Sequence, residues 1–166
     1  MNVTVLTDAS HCPDLKVAGY GFWIASERGK LPGSGVMKNL VRTSTLAEMQ
    51  AVVNALWKGA KAGLIRKGDE LLIQIDCEAA IYAFRHKRNV ADDEKEVVEQ
   101  LYRILTTLDL KCKFRHVKAH TGSDAARSRA NDSCDKRAKK AMRRARIQLR
   151  IKNALGVLNE TVSQSA

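Results

Sequence analysis

The chain has 166 residues, 45% of them hydrophobic, enough for one globular domain with a sizeable core. Its 29 Lys and Arg against 18 Asp and Glu leave a formal net charge of +11, which points to nucleic acid, an anionic membrane surface or an acidic protein as partner. No stretch of 18 apolar residues and no basic-then-apolar N-terminal run occurs, so neither a membrane span nor a signal peptide is expected, and a cytoplasmic location is. Cys12, Cys77, Cys112 and Cys134 lie far apart without a CxxC pair, which argues for reduced thiols over a disulfide framework or a zinc ribbon. Cys112, His116 and His120 alternate onto one face of an extended segment and leave a structural zinc as an alternative, although such sites draw close ligand pairs from a turn.

Residues 2–7 are β-rich and run into Asp8-Ala9-Ser10 before the turn signal HCPD, so the first strand is expected to deliver Asp8 at its end. Residues 17–26 (VAGYGFWIAS) and 34–41 read as two more strands, joined by a Gly- and Pro-bearing turn around ERGKLPG, which makes an antiparallel meander. From 44 to 61 the apolar positions Leu46, Met49, Val52, Val53, Leu56, Trp57 and Ala60 follow helical spacing, with Glu48 in the first turns and Gly63 as the stop. The run LLIQID (71–76) is a short apolar strand closing at Asp76. Residues 77–88 and 92–108 read as helices, 111–117 (KCKFRHV) as a fifth strand, and a basic helix is expected from about 130 to 152 after a loop. This order predicts an α/β fold: a five-stranded mixed sheet, antiparallel through strands 1-2-3 and then parallel, flanked by helices. Residues 1–150 form the expected catalytic domain and 151–166 a frayed tail.

Asp8, Glu48, Asp76 and Asp135 each have an ordinary structural explanation. Glu48 stands three residues after Thr45, as in a capping box. Asp76 can cap the following helix, Asp135 has the ion-pair spacing to Lys139, and Asp8 fits a turn. Taken together they read differently, because strand ends in a mixed sheet converge, and four clustered carboxylates keep protons unless cations neutralise them. A basic chain that gathers acids fits one that attracts a polyanion and holds divalent metal against a phosphate.

The stretches TDAS (7–10), RTSTLAEMQA (42–51), LIQID (72–76), VKAH (117–120) and NDSCDKRA (131–138) resemble, in that order, the type 1 ribonuclease H family. The resemblance spans about residues 2–145 and implies a ribonuclease H-like fold. It also implies an endonuclease that hydrolyses the RNA strand of RNA–DNA hybrids with two Mg²⁺ ions, Mn²⁺ substituting, and leaves 5′-phosphate and 3′-hydroxyl ends. By the same resemblance Asp8, Glu48, Asp76 and Asp135 are the catalytic metal ligands and His120 the mobile-loop histidine. Ala9, Ser10 and Glu48 would read the 2′-hydroxyl. Arg42, Thr43 and Ser44 precede a helix whose free N–H groups suit a phosphate, with Thr43 the expected contact to the DNA strand. Asn131 heads the last motif and completes this set.

Two departures from the family pattern stand out. The TGSDAARSRA segment after His120 has a length closer to that of retroviral ribonuclease H domains. The extra basic helix that many members use to grip the hybrid is reduced to Arg85, His86, Lys87 and Arg88. Nine Lys or Arg and no acid lie between residues 136 and 152. Arg143, Arg144 and Arg146 are therefore the expected replacement grip, against a merely solvated basic face. His11, His86 and His116 carry no motif. A monomer is expected. Two alternatives remain open at this level: a nuclease of the same superfold acting on branched or duplex DNA, and a non-catalytic nucleic-acid-binding module.

Overall fold

The structure, a computed structural model, describes residues 1–117 and 126–164. In chain order the elements are β1 (Asn2–Cys12), β2 (Val17–Ser26), β3 (Gly29–Val36), α1 (Ser44–Lys61), β4 (Glu70–Ile75), α2 (Glu78–Phe84), α3 (Asp92–Thr107), β5 (Lys111–His116) and α4 (Ala126–Gln164). The strands form one sheet in the order β3-β2-β1-β4-β5, antiparallel across β1, β2 and β3 and parallel across β1, β4 and β5. No helix among the described residues is long and apolar enough to cross a membrane.

The element order agrees with the sequence reading, and four elements differ in their bounds. β1 does not stop at Asp8, because β2 keeps pairing with it as far as Cys12↔Val17; Asp8 lies within the strand, opposite Gly21. β3 spans Gly29–Val36 and not 34–41, since Glu27 and Arg28 alone make the turn and Ser26 pairs directly with Gly29. Pro32 is tolerated there because β3 is an edge strand, where a missing N–H leaves no ladder bond unmade. α2 is seven residues long instead of reaching residue 88, ending before His86, whose φ is +54°. α4 extends to Gln164, past the expected end near 152.

Alternation sorts the two faces of the sheet. Val3, Val5, Tyr20, Phe22, Ile24, Leu71 and Ile73 point toward α1 and build the main core with Met49, Val52 and Leu56. On the other face α4 lays Cys134, Ala138, Ala141 and Ala145 across β1, β2 and β3, at the four-three-four spacing of one helical stripe. That helix can approach only because β2 has glycine at two alternate positions on this face. A Cβ at Gly21 would stand 2.1 Å from the Cys134 carbonyl oxygen, and one at Gly19 would stand 2.2 Å from the Met142 nitrogen.

Candidate metal and catalytic site

β1 and β4 run parallel only as far as the pair Leu6↔Gln74, and β4 ends at Ile75. Beyond that point the β1 edge facing β4 is open. The Ala9 N–H, with no strand to meet, donates to Glu48 Oε1 at 3.0 Å. Glu48 thereby reaches from α1 over the sheet edge. Its capping-box alternative falls away, because the N-cap of α1 is Thr43, whose side chain accepts from the Leu46 N–H at 3.1 Å.

Asp8 and Asp76 share the parity of Leu6 and Gln74, hence the sheet face that α4 covers over β1. One carboxylate oxygen from each of Asp8, Glu48 and Asp76 lies within 4.8 Å of the others. Asp76 does not occupy the cap position of α2; Cys77 does. Asp135 stands beside the triad: its charge, with that of Asp76, pushes on Asp8. It also makes the helical ion pair foreseen with Lys139, at 2.8 Å. The glycine-permitted approach of α4 sets this position, since the neighbouring Cys134 thiol reaches the Leu6 carbonyl at 3.9 Å.

The electrostatics are those of acids crowded out of water. Burial, then the charges of Asp76 and Asp135, push the Asp8 carboxyl up to about 7. Glu48 is pushed well above the usual carboxylate range by burial first and by Asp8 and Asp76 after it. Burial also raises the Cys134 thiol to about 12, leaving it inert as a nucleophile. Three buried side-chain oxygens have no hydrogen-bond partner among the described residues: Thr7 Oγ1, Glu48 Oε2 and Gln74 Oε1. Two of them belong to strand residues next to or two places from a triad acid. The third is the free oxygen of Glu48 itself.

This arrangement fits a divalent metal. An all-oxygen carboxylate set suits a hard cation, and a buried carboxylate oxygen without a donor is where such a cation would bind. It is also the only group of three metal-ligating side chains this close together among the described residues.

The remaining expected residues are distributed as follows. Ala9 and Ser10 flank Asp8 and are half-buried. Thr43 and Ser44 are exposed at the start of α1, and Arg42 pairs with Asp93 at 2.6 and 2.7 Å. Asn131 is buried on α4. Arg143 and Arg144 are exposed further along that helix and Arg146 is half-buried, none of them in the carboxylate group. His120 lies outside the described residues, as does the full set proposed for zinc. Of that set, Cys112 is held to a pKa of about 12 by burial. His116 Nε2 donates to the Asp76 carbonyl at 2.9 Å, and its Nδ1 lies 3.8 Å from Glu78. The sequence weighed His116 only as a zinc ligand and did not single out Gly19 or Gly21; the parallel register of β4 with β5 is what places His116 against Asp76.

The RNase H family model matches residues 1–143. Among solved structures, the chain is similar to RNase H1 from the halophilic archaeon Halobacterium salinarum, at 19% identity and a TM-score of 0.67, covering 85% of this chain and 97% of that one. It is similar to an N-terminal RNase H domain from Mycobacterium tuberculosis, at 16% identity and a TM-score of 0.69, covering 89% and 98%. A third similar structure is LC11-RNase H1 in complex with RNA/DNA hybrid, at 19% identity and a TM-score of 0.64, covering 86% and 98%. No curated protein sequence matches the chain.

Proposed function

Because the chain belongs to the ribonuclease H family, we propose that it is a divalent-metal-dependent endonuclease cutting the RNA strand of RNA–DNA hybrids, and that it acts as a monomer. The observation that carries this reading is the buried triad of Asp8, Glu48 and Asp76 with its donor-free Glu48 oxygen, in a protein of net charge +11. The hybrid-bound LC11-RNase H1, which shares the fold, supports the choice of substrate.

Asp8, Glu48 and Asp76 would hold Mg²⁺ or Mn²⁺, with Asp135 as the fourth ligand. Two such ions, when bound, make an attacking water more acidic and neutralise charge on the phosphate and the leaving 3′ oxygen. The protein's own part is positioning. The Ala9 N–H fixes one Glu48 oxygen and leaves the other free. Lys139 pairs with Asp135 and so holds its carboxylate beside the triad. Ser10 and Glu48 are assigned the 2′-hydroxyl, and the N–H groups behind Thr43 and Ser44 a phosphate of the DNA strand. Arg42, Asn131, Arg143, Arg144 and Arg146 are assigned further backbone contacts, and His120 proton transfer or assistance to product release. The products are then 5′-phosphate and 3′-hydroxyl ends.

The test is a hybrid with differently labelled strands, incubated with Mg²⁺ beside duplex DNA, duplex RNA and branched DNA. Cleavage confined to the RNA of the hybrid is expected. Equal cutting of duplex or branched DNA would assign the protein another substrate. No cutting, together with no heat of Mn²⁺ binding, would leave a nucleic-acid-binding module.

A further inference from the structure

We infer that the uncovered face of β5 is a phosphate track: Lys113 and Arg115, with Lys111 behind them, hold the sugar–phosphate backbone of the nucleic acid whose scissile bond lies at Asp76. The inference rests on the nuclease reading above and adds to it a binding surface outside the expected contacts.

The parallel register fixes the geometry. Lys113 pairs with Leu72 and Arg115 with Gln74, so their side chains share the sheet face of the residue that follows in the same alternation, Asp76. Arg115 is one alternation step from that acid. Successive side chains on one face of a strand recur every ~6.6 Å, short enough for long basic side chains to meet neighbouring phosphates along one strand.

On this face α4 packs over β1, β2 and β3, whereas the β5 side chains Lys113 and Arg115 stay exposed. The opposite face of β5 is occupied: Phe114 stacks on Phe84 at 5.4 Å, and α2 lies against the strand. The sheet is thus covered on one side of β5 and basic on the other. Lys111, Lys113 and Arg115 are all exposed. Lys111 approaches Glu70 only loosely, at 3.8 Å, whereas Lys113 and Arg115 have no ion pair with any described residue.

An exposed basic row in which Lys113 and Arg115 have no acid partner among the described residues gains by neutralising a polyanion. Its continuity with the carboxylate corner says which polyanion is within reach. The row also answers a deficit in the sequence, where the basic segment after α2 is short. In the structure even that segment is partly committed inward, because Arg85 donates to the Phe114 carbonyl and Arg88 pairs with Glu94.

The experiment measures hybrid affinity against salt in an Asp8→Asn background, which keeps the substrate intact, with wild-type cleavage assayed in parallel. Lys111→Gln/Lys113→Gln/Arg115→Gln is expected to bind about tenfold more weakly and to flatten the log–log salt slope by roughly 2, near 0.9 for each phosphate no longer neutralised. A control with the same reduction in charge, Lys30→Gln/Lys58→Gln/Lys61→Gln on the far edge strand and the last turn of α1, is expected to keep the slope. Melting of each variant checks folding, and Arg115→Gln alone serves if the triple variant does not fold. An unchanged slope in the β5 variant, or an equal change in the control, overturns the track even if the wild type cleaves hybrid. A wild type that cleaves no hybrid overturns the nuclease reading instead, while the slope still tests the track.

Discussion

Asp8 and Asp69 sit near opposite ends of the β1–β4 pair, 7% and 2% exposed, yet their surroundings differ in sign. Asp69 accepts from both guanidinium nitrogens of Arg28 at 2.5 and 2.8 Å and from the Arg66 N–H at 2.8 Å, with the N-terminal ammonium at 3.4 Å. Those donors hold its carboxyl well below the usual range. Asp8 has three acids for neighbours, Glu48, Asp76 and Asp135, and a carboxyl pushed up to about 7. A buried acid kept for stability arrives with its donors; one buried among other acids is stabilised only by something that binds later. The contrast separates a corner satisfied within the folded chain from the corner proposed to bind metal, without reference to any relative.

The contrast breaks first at Asp8→Asn. Metal-dependent cleavage should fall by at least about a hundredfold, because removing a metal ligand forfeits several kcal/mol of charge stabilisation. Metal-free melting at pH 7.5 should hold or rise, since one repelling charge is gone. A variant that both melts earlier and still cleaves would place Asp8 with the structural acids. Asp69→Asn should do the reverse, lowering the melting midpoint while specific activity of the folded fraction, read at low temperature, stays near wild type. Loss of activity without loss of stability would erase the distinction.

pH sharpens it further, because the two corners have opposite linkage. A raised folded pKa means the folded state binds the extra proton between about pH 4 and 7. Asp8 therefore lowers stability as pH climbs through that window, by up to about 4 kcal/mol for three units of displacement. Asp69 contributes stability that is present above pH 4 and lost on acidification below it. Urea midpoints of metal-free protein should thus fall from pH 5 to pH 7.5, and saturating Mg²⁺ should restore more stability at the higher pH. A midpoint rising over that interval without metal would contradict the crowding of the triad.

The smallest effect is expected from Gly21→Ala, which puts a methyl against the Cys134 carbonyl. Overpacking of this kind costs about 1–3 kcal/mol, and by moving Asp135 away from Asp8 it should reduce cleavage more than Gly33→Ala on the edge strand does. Equal effects of the two on cleavage would mean that the α4 approach does not set the site.

What could be read along the chain was whatever depends on neighbours a few residues away. Helical spacing gave α1 its bounds, Ser44 to Lys61, and the apolar run before Asp76 gave β4 to within a residue. Binary pattern and element order likewise gave a mixed sheet of five strands. The pattern said less where pairing partners decide an end: β1 runs on to Cys12 because β2 still pairs with it, and β3 begins at Gly29 because a two-residue turn brings it back at once.

The four acids were picked out by their motifs, but their separate structural explanations could be weighed only in three dimensions. Glu48 could be told from a capping residue only once β4 was seen to end before Ala9 and leave that N–H for it. Asp135 kept its ion pair and its place beside Asp8 together, something spacing alone could not express. Short-range spacing determines which segments are helices and strands and which faces they bury. Burial, mutual repulsion and orphaned oxygens arise from residues brought together across tens of positions, so only the tertiary structure decided which acids are crowded and which are satisfied.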